Sequence, residues 1–290
     1  MIQIQPPLDL QLPKMEKVHL SDEDFNRISR FVTSNYGIKL PYEKKIMVEG
    51  RLQKRLRATQ KKSFEEYTQW VLSEEGKYEL ISMIDAISTN KTDFFREASH
   101  FDYMKNELLP SLSLSGKRDV KIWSSAASSG EELYTIAITM EEYNRESNKS
   151  PLEYSIHGTD ISTQVLKNAV SAVYPFDRIR QLPLELRHKY FLKSKDANQN
   201  TVRVIPRLRK KCTYSRLNLI DDEYTINGEF DIIFCRNVLI YFDQFNQEKV
   251  INKLCRKLKV GGYFFLGHSE SILGKNVPLK QIKPTIYKRV

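Results

Sequence analysis

Three separated stretches of this 290-residue chain put reactive or ligand-holding side chains where strands would end. The first is Trp123-Ser-Ser-Ala-Ala-Ser-Ser-Gly-Glu-Glu-Leu133, in which an apolar run gives way to very small residues and then to a helical pattern. Small side chains let the backbone approach a nucleoside-bearing ligand closely, although only Gly130 remains of a G-x-G-x-x-G dinucleotide spacing. Glu131 stands where a phosphate would want donors; its carboxylate suits a ligand with a positive centre or an amino group. The second stretch, Gly158-Thr159-Asp160, ends a candidate strand with an acid able to accept hydrogen bonds from both ribose hydroxyls. The third is Phe230-Asp-Ile-Ile-Phe-Cys-Arg-Asn-Val-Leu-Ile-Tyr-Phe-Asp243, where apolar residues switch to Arg236 and Asn237. Each has a plain structural alternative. Asp160 could cap a helix, Arg236 form a surface ion pair, Asn237 shape a turn and Tyr241 fill the core. Ser129 could cap the helix, with Glu132 in the reciprocal position. Together the two acids fit S-adenosylmethionine better than NAD.

These groups need strands and helices in alternation to hold them. Strands are expected at 120–123, 154–158, 230–235 and 263–266, and helices at 131–143, 161–170 and 246–259, with Gly261 and Gly262 closing the last helix. Strand followed by helix favours right-handed parallel units, hence an open α/β sheet. Residues 285–290 could add an edge or antiparallel strand. Residues 174–216 break the rhythm with three prolines and a polar run, and read as a small inserted β-subdomain at about 176–210.

The first 110 residues read as helices instead. A capping box at 21–24 precedes Phe25, Ile28 and Val32 at helical spacing, with Gly37 as terminator. A second helix at 43–58 repeats Val48, Leu52 and Leu56. A third starts at the Ser63–Glu66 box and turns Phe64, Tyr67 and Trp70 inward; further helix covers 77–87 and 97–109. The Ser- and Gly-rich stretch at 110–117 reads as a boundary, giving a leader at 1–19, a helical domain at 20–110 and an α/β domain at 111–290.

Composition narrows the partners. The formal charge is +10, from 46 basic and 36 acidic side chains, which favours an acidic partner: nucleic acid, an anionic membrane face or an acidic protein surface. Three unpaired-looking cysteines and five scattered histidines give neither a disulfide framework nor a metal motif. The ends lack a signal core, and no apolar window is long enough to span a bilayer, so the expectation is a cytoplasmic protein.

With its motifs in order, the chain resembles the chemotaxis receptor methyltransferase family over about residues 20 to 290. The resemblance rests on Ile87-Ser-Thr-Asn-Lys-Thr-Asp-Phe-Phe-Arg96, the turn ending Gly130-Glu131-Glu132, Thr159-Asp160-Ile161, and Phe234-Cys-Arg-Asn-Val-Leu-Ile-Tyr-Phe242. It implies a Rossmann-like methyltransferase sheet that binds S-adenosylmethionine, esterifies receptor glutamates and releases S-adenosylhomocysteine. It places Asn90, Thr92 and Arg96 beside the cofactor, Glu131 by its methionine part, Asp160 on the ribose, Asn218 and Leu219 by the adenine, and Asn237 and Val238 along the cleft. Arg96 and Tyr241 would lie nearest the transferred methyl group.

It also implies that the helical domain meets the acidic methylation region of a receptor bundle at membrane arrays. Lys44, Arg51 and Arg55 offer a basic face for this. In some relatives the insert grips a receptor C-terminal peptide by strand addition. Here its loop, residues 193–200, lacks the glycines of strong binders. The alternatives are a nucleic-acid methyltransferase using the basic run Arg207-Leu-Arg-Lys-Lys211, a non-enzymatic receptor scaffold and, more distantly, a NAD oxidoreductase.

Overall fold

Ser21 starts the first helix through its hydroxyl, which accepts from the Asp24 N–H at 3.0 Å and donates to the Asp24 carboxylate at 2.7 Å. The computed structural model describes residues 18–147, 151–196 and 198–290; residues 1–17 of the expected leader lie outside that range. Helix α1 (Asp22–Tyr36) buries Phe25, Ile28 and Val32 and ends at Gly37. A 3-10 turn at Tyr42–Lys44 leads into α2 (Lys45–Thr59), whose Val48, Leu52 and Leu56 form the expected inward stripe. Ser63 caps α3 (Phe64–Val71) at the Glu66 N–H, 3.1 Å away. The Glu66 carboxylate reaches back to Lys62 instead of Ser63. Phe64 and Tyr67 are buried, whereas Trp70 is half-buried and Val71 fills the next inward place. Helix α4 (Lys77–Ile87) matches its expected limits.

The expected boundary at 110–117 does not fit the structure. A helix begins at α5 (Ser99–Tyr103), widens into a π turn at Met104–Leu108 and continues as α6 (Leu109–Leu114) through Pro110. A wide turn before the proline relieves the clash between its ring and the preceding turn's carbonyl, which explains why Pro110 does not stop the helix. The two compact units divide earlier. One takes Leu40–Ile87 with the described residues up to Arg30; the other takes Phe31–Lys39 and the described residues from Ser88 to Val290.

The larger unit alternates as expected: β1 (Asp119–Ser124), α7 (Glu131–Glu146), β2 (Glu153–Asp160) and α8 (Thr163–Ser171). The insert follows with β3 (Val173–Pro175), α9 (Leu184–Tyr190), β4 (Phe191–Lys193) and β5 (Thr201–Val204). Its strands form a separate antiparallel sheet in the order β3-β5-β4, starting slightly before residue 176. After α10 (Pro206–Arg209), β6 (Cys212–Arg216) rejoins the main sheet, where no strand was expected. Then come β7 (Phe230–Cys235), α11 (Gln244–Lys257), β8 (Leu258–Leu266), β9 (Leu279–Lys283) and β10 (Ile286–Arg289). Gly261 and Gly262 do not close α11. They lie within β8, next to a register shift against β7.

The main sheet runs β6-β2-β1-β7-β8-β10-β9, parallel from β6 to β8, with β10 reversed. Chain order reverses beside β1, so the crevice at its carboxyl end is the expected ligand region. The strands alternate faces with period two. Val120, Ile122, Ile232, Phe234 and Phe265 enter the core shared with α7, while Trp123, Ile233, Cys235 and Phe264 enter that shared with α11. All three cysteines are free and buried, in keeping with their reading as small hydrophobes.

Candidate active site

The turn after β1 is stitched to both neighbouring strands. Ser125 donates its N–H to the Phe234 carbonyl at 2.8 Å, and Ala127 donates to the Thr159 carbonyl at 2.8 Å. Gly130 has φ +94°, and a Cβ there would come within 2.9 Å of the Ala169 side chain. Gly130, not Ser129, is the N-cap of α7, and no side chain caps the helix. Ser129 donates instead to Glu131 at 2.6 Å, and Glu132 accepts from Ser124 at 2.7 Å and from Arg236 at 3.1 Å. The expected capping pair is therefore replaced by two separate acid contacts.

Asp160, at the end of β2, is not the cap of α8; Ser162 is. The two Asp160 carboxylate oxygens accept from the backbone N–H groups of Ser128, at 2.9 Å, and Ser162, at 3.0 Å. Ser128 has φ +46°, and its hydroxyl donates to the Asn90 carbonyl at 2.8 Å. One serine thus joins Asn90 to Asp160. Leu217 donates to the Asp160 carbonyl at 3.0 Å, which seats Asn218 and Leu219 just beyond the paired end of β6. Asn218 donates to Asp221 at 2.9 Å, and the Leu219 carbonyl accepts from Tyr224 and Lys253.

The segment from Asn90 to Arg96 is packed as a wedge. The Phe94 ring stands 5.1 Å from Tyr174 and 5.2 Å from Phe191, both in the insert. Phe95 and Glu97 take positive φ, and the Phe95 N–H donates to Thr135 at 3.1 Å. Arg178, in the 3-10 turn Phe176–Ile179, donates to Asp93 at 2.9 Å, to the Thr92 carbonyl, and to Glu131 at 2.5 Å. Thr92 and Glu131 are thereby linked.

Arg236 is not a surface residue. It is buried between Glu132 and Glu97, donating to Glu97 at 2.9 Å and to the Arg96 carbonyl at 2.5 Å. Glu97 also accepts from Asn237 at 3.1 Å. Burial opposes its charge, but Arg236 and the Asn237 hydrogen bond outweigh that and hold the carboxyl at about 2. Burial dominates at Glu132, pushing its pKa up against the pull of Arg236. The backbone beyond is pinned by Glu270, whose carboxylate accepts from the N–H groups of Gly267, Asn237, Val238 and Leu239 at 2.7 to 2.9 Å. Gly267 must stay small, because a Cβ would lie 2.5 Å from the Asn237 amide. Tyr241 closes a 3-10 turn, its N–H donating to Val238 at 3.2 Å.

The structure thus joins Asn90 to Asp160 through Ser128, Thr92 to Glu131 through Arg178, and the Arg96–Glu97 end of the segment to Arg236 and Asn237, at the carboxyl ends of β1, β2 and β7. Sequence reasoning missed Arg178, Glu97 and Glu270. Glu97 directly follows the quoted motif ending at Arg96, so its charge was the available signal; Arg178 and Glu270 lie in stretches without periodicity. Two of the scattered histidines do meet: His100 and His268 have ring centroids 5.1 Å apart beside Glu97. Arg236 on that carboxylate makes it a poor seat for a metal cation.

Family models cover most of the chain. The CheR methyltransferase all-alpha domain matches residues 23–88, and the CheR methyltransferase SAM binding domain matches 90–288. This chain belongs to the CheR methyltransferase family. A chemotaxis protein methyltransferase of Borreliella burgdorferi is 40% identical, with 94% of this chain and 96% of that protein covered. Chemotaxis protein methyltransferase 2 of Pseudomonas aeruginosa is 36% identical over 94% and 95% of the two chains, and the Escherichia coli enzyme is 36% identical over 90% and 89%. As a CheR protein the chain is an S-adenosylmethionine-dependent methyltransferase acting in chemotaxis. The CheR all-alpha match ends at residue 88, beside the division of the compact units after Ile87. Among the described residues, no helix is long and apolar enough to cross a membrane.

Proposed function

We propose that the chain transfers a methyl group from S-adenosylmethionine to glutamate carboxylates in the cytoplasmic helical bundle of chemoreceptors, at receptor arrays. The products are glutamyl methyl esters and S-adenosylhomocysteine. One observation carries this reading: two acids, Asp160 and Glu131, flank a small-residue turn beside β1, one held by backbone amides and the other paired with a cation. That pair of acceptors fits ribose hydroxyls on one side and an ammonium group on the other, and it repels polyphosphate. Asn90, Thr92, Arg96, Glu131, Asp160, Asn218, Leu219, Asn237 and Val238 would hold the methyl donor. When bound, it supplies a methyl group on a positively charged sulfur.

The chain's own task is alignment. A glutamate carboxylate with an ordinary pKa of about 4.3 is already ionised near neutral pH, so no general base is needed. Arg96 orients the incoming carboxylate; tight pairing would blunt the nucleophile, so its role is positioning. Tyr241 donates a hydrogen bond near the reacting atoms. Water exclusion in the crevice favours the charge-neutralising transfer.

The proposed basic face needs revision. Arg55 is bidentate on Glu79, at 2.6 and 2.7 Å, and Arg51 donates to the Ile87 carbonyl at 2.6 Å. Both are tied into the helical unit's own packing, so with Lys44 they steer a receptor through their field and not as three unpaired cations. Tethering of a receptor C-terminal peptide would use an outer strand of the insert, β3 or β4. The nucleic-acid alternative loses support, because Arg207 pairs with Glu141 and Lys211 with Glu153, each at 2.8 Å.

The test incubates the protein with S-adenosylmethionine and receptor-bearing membranes and maps the modified peptides by mass spectrometry. One added methylene on receptor glutamates is expected. Methylation of nucleic acid alone, or none with confirmed donor binding, would overturn the substrate assignment.

A further inference from the structure

The pairing of Arg178 with Glu131 poses a chemical question. Glu131 is 1% exposed, and its carboxylate bonds to Arg178 and Ser129. The methyl donor of the proposed function ends in an amino acid, which carries an ammonium and a carboxylate on one carbon. An acid suits the ammonium and repels the carboxylate. A site built on Glu131 therefore needs a cation immediately beside it, and Arg178 lies 2.5 Å away.

Resting on that functional reading, we infer that Arg178 binds the α-carboxylate of the methyl donor, and that in the ligand-free chain it occupies the ammonium position on Glu131. Three features support this. A guanidinium has five N–H donors in a fork that matches a carboxylate, and Asp93, Thr92 and Glu131 do not exhaust them. The Arg178 side chain is 32% exposed while Glu131 is enclosed, so the arginine can withdraw toward solvent as an ammonium group arrives. Its other two partners, Thr92 and Asp93, belong to the segment already placed along the ligand.

The same geometry connects the ligand to the insert. Arg178 follows β3 by three residues, and Tyr174 in β3 donates its hydroxyl to the Ser129 carbonyl at 2.7 Å. Arg178 and Tyr174 thus tie the root of the insert to the residues on either side of Gly130.

Decarboxylated S-adenosylmethionine keeps the ammonium, sulfonium and adenosine and lacks only the carboxylate. Equilibrium binding of both compounds to the full chain, wild type and Arg178→Gln, measures the contact. A charge-assisted bond predicts that wild type prefers the complete donor by about tenfold or more, and that the preference falls to within about threefold in the variant. Arg178→Lys keeps a cation beside buried Glu131 and guards against misfolding; its preference should also fall, because the fork is lost. A variant that folds and binds with undiminished preference overturns the inference and leaves the functional reading intact. Wild type that binds neither compound overturns both.

Discussion

The Arg236 guanidinium lies 2.9 Å from the Glu97 carboxylate and fastens the Asn90–Arg96 segment to the end of β7. It also reaches Glu132 and the Arg96 carbonyl, and sits 5.3 Å over the Phe101 ring. Arg236→Met leaves two enclosed acids without their cation. Removing one partner of a buried pair costs about 3–5 kcal/mol, so the denaturant midpoint should fall sharply. Combining it with Glu97→Gln should cost less than the two single changes added together; strict additivity would mean that the pair is not coupled.

Glu97 and His100 together predict acid lability. Burial and the nearby Arg236 push His100 down to about 4 from 6.5, while Glu97 is held at about 2 against 4.5. The unfolded chain therefore binds protons at both sites before the folded chain does, and stability falls as pH drops. His100 acts between pH 6.5 and 4, and Glu97 between 4.5 and 2, with a loss on the order of a few kcal/mol. Denaturant midpoints across this range should decline, and His100→Gln should flatten only the upper part.

Asp160 and Arg96 should separate binding from transfer. Asp160→Ala removes a charged acceptor and should weaken S-adenosylmethionine binding by about 10- to 100-fold. Arg96→Ala should leave binding within a few-fold and lower the single-turnover rate. Equilibrium binding and rapid-quench measurements check the two effects independently; unchanged values in both variants would contradict the site.

Glu270 holds four backbone N–H groups with one carboxylate. Burial raises its pKa even though those four amides favour the charge. Glu270→Gln turns a donor toward donors, and should cost about 2–4 kcal/mol by leaving buried amides unpaired. Gly267→Ala presses on the same contacts with the acid left in the sequence, because its Cβ would lie 2.9 Å from both the Asn237 backbone nitrogen and the Glu270 carboxylate. Both variants should lower turnover more than a core change such as Val250→Ala of equal thermal penalty; an equal loss of turnover would leave Glu270 a structural residue only.

What the sequence made legible was what periodicity records. The stripe Val48, Leu52 and Leu56, the apolar run through Phe230–Cys235, and the acid ending β2 all stand where the sequence pattern put them. Local cues misled where tertiary packing decided the outcome. Pro110 looked like a break, but a π turn absorbs it. Gly261 and Gly262 looked like a helix stop, but a bulged strand uses them. Cys212–Arg216 offers only Cys212 and Tyr214 as inward apolar positions, too short an alternation to stand out beside the basic run before it, so β6 was invisible until β2 paired with it. The ionic links Arg178–Glu131 and Glu97–Arg236 join residues 47 and 139 positions apart, a distance over which sequence pattern has no reach.

The account turns on a methyl group reaching a receptor carboxylate. The direct measurement incubates the protein with methyl-labelled S-adenosylmethionine and chemoreceptor membranes, then treats the washed membranes with mild alkali. The account predicts label on the receptor that alkali releases as methanol, as an ester must, and that Asp160→Ala and Arg96→Ala diminish. Label that survives alkali, or that appears on nucleic acid and not on the receptor, would contradict it.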